Sequence, residues 1–348
     1  MMTIEGIEIG RGSRPFVIAE MSGNHNGSLP RALELVEAAA AAGVPCIKLQ
    51  TYRADTLTLD VREREFVISD ARSLWKGRSL HDLYEEAHTP WEWHAPIMAR
   101  ARELGLVCFS SPFDESAVDF LEGLEVPAYK IGSFECTHIP LLRKVAATGR
   151  PVILSTGMAT AAEIDHAVRT LRSNGCTQIA LLKCTSSYPS TPENSNLLTL
   201  PHLRDLFGCE VGLSDHTHGI GVAVASVALG ASIIEKHFTL SRADGGVDAA
   251  FSMEPAEMNA LIEETGRAWL ALGSIHYGPT KAEENAVRRR RSLYVARDLE
   301  SGDILTPDSL RCVRPGHGLA PEFYELLQGK RVTRAAKAGT PLTWDLVL

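Results

Sequence analysis

Short apolar runs that end in polar side chains recur along the chain, with helix-period segments between them. The runs fall at residues 15–20, 44–50, 106–110, 128–131, 151–155, 179–184, 212–217 and 234–238. They are too short for helices and mostly rich in Val, Ile and Leu, the pattern of strands covered on both faces. Helical spacing marks segments at about 28–43, 91–104, 114–122, 140–147, 160–173, 219–230 and 255–272. Ser28 stands at an N-cap position with Pro30 just inside the helix, and Thr160 with Glu163 forms a capping box. Eight strands alternating with helices over the first three-quarters of the chain predict an α/β fold, a (β/α)8 TIM barrel. In such a barrel all strand exits share one face, and chemistry collects there. Residues 51–79 lack a clear period and read as an active-site lid.

The barrel pattern stops near Gly273, which gives a first domain at 1–275. A polar linker follows at 276–291, with Gly278-Pro279 and an arginine run at 288–291. From Ser292 to residue 348, short β-like pieces at 293–296 and 330–332 alternate with Gly and Pro turns. This second, β-rich domain is small enough to need something to dock on.

Composition narrows the class. No apolar run reaches the ~18 residues of a membrane span. The start lacks the basic-then-apolar order of a leader, so a cytoplasmic location is expected. The seven cysteines include no CxxC pair and read as free structural thiols. A net charge of −8 speaks against a nucleic-acid partner. Residues 285–348 carry 11 Lys+Arg against 7 Asp+Glu, whereas the rest carries 24 against 36. A basic tail behind an acidic body fits docking, gathering of an anionic substrate, or plain uneven surface charge.

The chemistry-bearing residues stand at the strand exits. His216 and His237 follow neighbouring strands, close enough to share a divalent metal with positions left open for substrate. Asp215 and Glu235 flank them and are candidates to orient the rings. The competing reading is a pair of ordinary buried histidines. Lys48, Lys130 and Lys183 sit inside apolar strands, where lysine is costly unless paired or functional. With Ser111, Ser133, Ser155, Ser186 and Ser214 they suggest a phosphate or carboxylate cradle. Pairing with Glu20, Glu135 or Asp215 is the alternative. Glu20 is the acid/base candidate, or else the salt-bridge partner of Lys48.

Six ordered motifs carry a resemblance that spans essentially the whole chain. They are Ile18-Ala-Glu-Met-Ser-Gly-Asn-His-Asn-Gly27, Ile47-Lys-Leu-Gln-Thr51, Tyr129-Lys-Ile-Gly-Ser133, Leu154-Ser-Thr-Gly-Met158, Gly212-Leu-Ser-Asp-His-Thr217 and Arg314-Pro-Gly316. Together they resemble the sialic acid synthase family, and the C-terminal domain resembles its antifreeze-like (SAF) module. The resemblance implies condensation of phosphoenolpyruvate with an amino sugar to a nine-carbon 2-keto acid, with release of phosphate. It implies that His216 and His237 bind manganese or magnesium, and that Lys48, Ser111, Lys130, Ser133, Ser155 and Ser214 hold phosphoenolpyruvate. Glu20 would lie near the vinyl carbon and the attacking water, while Gln50, Tyr188 and Asp248 would place the sugar. Arg314 would reach in from a partner chain, which implies a domain-swapped homodimer.

Lys183 and Ser186 depart from the N-acetylneuraminate-making pattern, which has His and Asn there. They resemble the branch whose acceptor is a 2,4-diacetamido-2,4,6-trideoxy-L-altrose. N-acetylneuraminate and legionaminate formation remain the alternatives within the family. Outside it stand a Schiff-base aldolase on Lys130 or Lys183 and a non-catalytic sugar-binding protein.

Overall fold

The structure, a computed structural model, describes residues 2–71 and 73–347. It opens with a hairpin that the sequence pattern did not reveal: β1 (Met2–Ile4) pairs antiparallel with β2 (Ile7–Ile9). Three-residue strands are below the length at which alternation can be read. Eight parallel strands then close into a barrel: β3 (Phe16–Glu20), β4 (Cys46–Thr51), β5 (Val107–Pro112), β6 (Tyr129–Ile131), β7 (Val152–Ser155), β8 (Ile179–Cys184), β9 (Glu210–Ser214) and β10 (Ile233–His237). Each pairs with the next in sequence, and β10 closes on β3 with His237 opposite Glu20.

The helices α1 (Leu29–Ala41), α4 (Trp91–Glu103), α5 (Glu115–Gly123), α6 (Ile139–Ala147), α7 (Ala161–Ser173), α9 (Gly221–Ala228) and α10 (Pro255–Leu272) stand where periodicity places them. The Ser28 side chain accepts from Arg31 N, and the Thr160–Glu163 box forms. Two helices escape the sequence reading, α3 (Leu80–Ala87) and α8 (Thr199–Phe207). The lid stretch contains only α2 (Ala54–Leu57), a 3-10 turn at Arg64–Phe66 and a bridge between Val67 and Ser79; its residue 72 lies outside the described residues.

The period of two along each strand sorts side chains into two cores. Phe16, Ile18, Cys46, Val107, Phe109, Ile153, Ala180, Leu182 and Ile233 face the barrel interior, where Met2, Ile4 and Ile9 of the hairpin join them. The hairpin therefore plugs the end at which the strands begin. Val17, Ile47, Leu154, Leu181, Val211 and Ile234 face the helices. Gly212 is the tight point: a Cβ there would meet the Ile233 carbonyl and stand 2.7 Å from Leu182 Cδ2. Continuing the inward series toward the strand exits gives Glu20, Lys48, Gln50, Ser111, Lys130, Ser155, Cys184, Ser214, Glu235 and His237. With one end plugged by apolar side chains, this polar layer forms at the other.

The chain divides into two compact units, Met1–Gly273 and Ser274–Leu348. The second contains short helical turns at Lys281–Glu283 and α11 (Glu284–Val287), then β11 (Ser292–Val295) antiparallel to β12 (Leu310–Val313), and α12 (Tyr324–Leu327). Leu293, Val295, Leu299, Leu305, Leu310 and Leu342 make its own small core.

Candidate active site

Two buried lysines and two buried glutamates meet at the mouth of the barrel. Lys48 Nζ is ion-paired with Glu20 Oε2, donates to Ser111 Oγ at 3.1 Å and lies 4.0 Å from Glu235 Oε1. Lys130 Nζ donates to Ser155 Oγ at 2.8 Å and lies 3.5 Å from Glu235 Oε1. Ser214 Oγ donates to the same Glu235 oxygen at 3.4 Å. Burial pushes the Glu20 carboxyl above its ordinary range, against the pull of Lys48. Glu235 moves the other way: burial raises it, but Lys130, Lys48 and His216 together outweigh that and hold it low. Burial lowers the Lys130 ammonium, with Glu235 opposing.

Ser133 and Ser186 converge from two loops on Gly157. The Gly157 N–H donates to Ser133 Oγ at 3.1 Å, and a Cβ at 157 would stand 2.8 Å from that oxygen and against Ser186 Oγ. Only a glycine leaves room for both hydroxyls at this corner.

In the polar loop after β3, Ser22, Asn24 and His25 are buried. The Ser22 hydroxyl and the Asn24 amide N–H groups are bonded by the loop after β10. Ser22 Oγ bonds Asp248 Oδ2, and Asn24 Nδ2 donates to Phe238 O and to Ser252 Oγ, both at 2.9 Å. Gln50 Nε2 donates to Glu20 Oε1 at 3.1 Å and to Ser22 Oγ at 3.3 Å. Gln50, Glu20, Ser22 and Asp248 thus form one polar chain along the mouth, and burial raises the Asp248 carboxyl.

The His216 and His237 rings lie 5.3 Å apart, centroid to centroid. Tyr188 packs edge-on against His216 at 4.5 Å, and Phe251 lies 4.9 Å from His237. Trp75 of the lid stretch reaches this cluster, 6.1 Å from Tyr188, and donates its indole N–H to Val247 O at 2.9 Å. The sequence reading missed Trp75 and Phe251; an aromatic residue in a stretch without periodicity gives no positional signal.

Three expectations need correction. Asp215 does not touch either imidazole: it pairs with Lys236 at 2.9 Å and accepts from Thr217. Glu235 serves the lysines rather than a ring. Lys183 lies on the outward face of β8 and donates to Cys184 O at 2.8 Å, outside the cradle. Strand alternation turns Asp215 and Lys183 away, Lys183 lying opposite to Leu182 and Cys184, whereas Glu235 faces inward but meets Lys130 and Lys48 there. Arg314 is exposed in the second unit, just beyond β12.

The histidine pair fits a divalent cation. His216 Nδ1 lies 3.1 Å from Thr185 O, so Nδ1–H donates to that carbonyl, and in the neutral ring Nε2 keeps its lone pair for a cation. His237 Nδ1 is buried without a hydrogen-bond partner, and Asp248 Oδ2 is 3.9 Å away. Among the described residues no group of three or more His, Cys, Asp or Glu side chains forms a closed cage. Two imidazoles alone leave most coordination positions to water and substrate oxygens.

A barrel with a buried anion cradle beside an imidazole pair defines a class of enzyme, and comparison with known proteins specifies the family. The model of the NeuB family matches residues 35–277, and that of the SAF domain matches residues 290–348. The chain is 41% identical to the pseudaminic acid synthase of Helicobacter pylori, over 95% of this chain and 97% of that one. It is 37% identical to the N,N'-diacetyllegionaminic acid synthase of Legionella pneumophila, over 95% and 94%. A crystal structure of the N-acetylneuraminic acid synthetase of Leptospira borgpetersenii, in complex with citrate, superposes with a TM-score of 0.74 at 32% identity, covering 82% of this chain and 94% of that one. The chain belongs to the NeuB family, the sialic acid synthases, and is an enzyme of that family.

Proposed function

We propose that this enzyme condenses phosphoenolpyruvate with 2,4-diacetamido-2,4,6-trideoxy-L-altrose and water, giving pseudaminic acid and phosphate. The observation that carries the reading is the convergence of Lys48 and Lys130, with three serine hydroxyls, beside the His216–His237 pair. Three pseudaminic acid synthases among the relatives, at 41%, 40% and 40% identity, support the choice of acceptor.

In this reading Lys48, Lys130, Ser111, Ser155, Ser214 and the Ser133–Gly157 corner bind the carboxylate and phosphate of phosphoenolpyruvate. Gln50, Asp248 and Tyr188 orient the open-chain sugar. The chemistry supplied by a divalent cation, manganese or magnesium, on His216 and His237 is polarisation of the sugar aldehyde. The enol C3 forms a bond to the aldehyde carbon, and the aldehyde oxygen takes up a proton. Water then adds to C2 while the Glu20 carboxylate accepts its proton. Phosphate leaves as the C2–O bond breaks and takes the remaining hydroxyl proton, so a keto group remains at C2, and the proton accepted by Glu20 balances the one taken up by the aldehyde oxygen. Ion pairing with Lys48 keeps Glu20 available as a base although burial opposes its charge. We further propose a homodimer in which Arg314 serves the barrel of the second copy.

The experiment uses phosphoenolpyruvate carrying oxygen-18 in its bridging C–O–P position. Phosphate released with the altrose acceptor and manganese is expected to retain the label, and a chelator is expected to abolish release. Unlabelled phosphate, or full activity in chelator, would overturn the reading.

A further inference from the structure

One pair of charges lies outside the cradle, and nothing in the proposed chemistry uses it. β10 turns Glu235 and His237 inward, so Lys236 faces the layer between barrel and helices, in line with the apolar Ile234. Lys236 is 1% exposed and Asp215 is 3% exposed. Lys236 Nζ donates to Asp215 Oδ2 at 2.9 Å, to Thr217 O at 2.6 Å and to Gly219 O at 3.1 Å. All three ammonium protons are therefore used. Asp215 Oδ1 in turn accepts from Thr217 N at 3.0 Å and from Thr217 Oγ1 at 2.8 Å.

Residues 215–219 thus fold around one ammonium group, and His216 lies within that loop. The His216 carbonyl accepts from Ser190 N at 3.0 Å, which ties the loop carrying Tyr188 to the same strap. His237 follows Lys236 directly on β10 but points to the opposite face. A buried ion pair is a weak source of stability, because desolvation cancels most of its attraction and an apolar pair of similar volume often serves as well. An apolar pair, however, cannot gather acceptors from three loop positions.

We propose that Lys236 and Asp215 form a positioning pair that sets the approach of His216 to His237, and through Ser190 the seating of the Tyr188 loop. The proposal rests on the reading of the two histidines as a divalent-cation site and deepens it. Lys236 touches no substrate in this account; it acts through His216.

The test uses the full-length Lys236→Met/Asp215→Leu variant, which removes both charges together and leaves neither buried alone. Manganese alone is titrated into metal-free protein, and free ion is read by electron paramagnetic resonance. The double variant is expected to melt within a few degrees of the parent yet bind manganese about 10- to 100-fold more weakly. Lys236→Met alone is expected to lose affinity and to melt lower as well, because Asp215 is then buried unpaired. Unchanged affinity in the folded double variant overturns the proposal. If the double variant does not fold, Asp215→Asn decides by the same readout: it removes one charge of the pair at nearly unchanged volume, and unchanged affinity overturns the proposal there too. If the parent protein takes up no manganese, the cation reading falls. A crystal structure of the double variant then judges positioning separately, a ring separation still at 5.3 Å overturning it and a displaced His216 supporting it.

Discussion

Glu235 is the hinge of the cradle at the scale of single residues. It stands 3.5 Å from Lys130 and 4.0 Å from Lys48, and its low proton affinity depends on both. Lys130→Met is therefore expected to leave the fold intact by circular dichroism but to lower phosphate release by about 10²- to 10³-fold, the usual loss when one preorganised charge-stabilising donor is removed. Lys130→Arg is not expected to rescue it, since a planar guanidinium does not fit where a point charge donates to Ser155. A loss below threefold in either variant would contradict the assignment. At this scale the sequence was informative wherever alternation holds. Lys48, Lys130, Ser111, Ser155, Ser214 and His237 all continue the inward series of their strands, so their grouping was readable from strand exits alone. Asp215 and Lys183 fall outside this group because each sits one step out of phase with the inward series.

Two histidines outside the mouth govern elements rather than chemistry. His25 lies in the turn after β3 and His94 in α4, and both side chains are fully buried. His25 Nε2 meets Thr89 Oγ1 at 3.2 Å, and His94 Nε2 meets Thr51 Oγ1 at 2.8 Å. Burial pushes both down to about 4, from an ordinary 6.5; neighbouring histidines add to the shift for His25, and backbone hydrogen bonds resist it for His94. Between these values the unfolded chain binds protons that the folded chain refuses. Stability is thus fully present above pH 6.5 and falls as the pH drops toward 4. Each histidine is expected to contribute up to ~3 kcal/mol to that loss. Denaturant titrations across this window check it, and His94→Gln is expected to flatten the slope. A slope identical in the parent and the variant would contradict the account.

Periodicity revealed the barrel strands and most of the helices but not the opening hairpin, α3 or α8. The β1–β2 hairpin has three residues per strand, and α8 lies behind a Pro- and Ser-rich stretch although Leu200, Leu203 and Phe207 mark its buried face. The burial of Asn24 leaves no local signal in the sequence, because its partners, Phe238 and Ser252, are more than two hundred positions away.

The whole molecule comprises a closed barrel and a small unit with a core of its own. The change from helix-period segments to Gly and Pro turns was legible near residue 273, since the two architectures differ in period. What sequence patterning does not carry is the pairing of chains. The proposed role of Arg314 in a second copy can be tested by mixing. Lys130→Met and Arg314→Ala chains, each nearly inactive alone, are expected to regain about a quarter of parental activity when coexpressed, because half the dimers then hold one complete site. Activity no greater than the sum of the two variants would contradict the swap.

Acceptor identity is the central claim. One hydrogen bond to a substrate hydroxyl or amide, satisfied or broken, separates related sugars by orders of magnitude. The direct measurement is phosphate release from phosphoenolpyruvate with manganese and each of three acceptors: the diacetamido-trideoxy-altrose, N-acetylmannosamine and the legionaminate precursor. The account predicts release with the altrose derivative at a kcat/KM at least about a hundredfold above the other two. Preference for either of the others would contradict it.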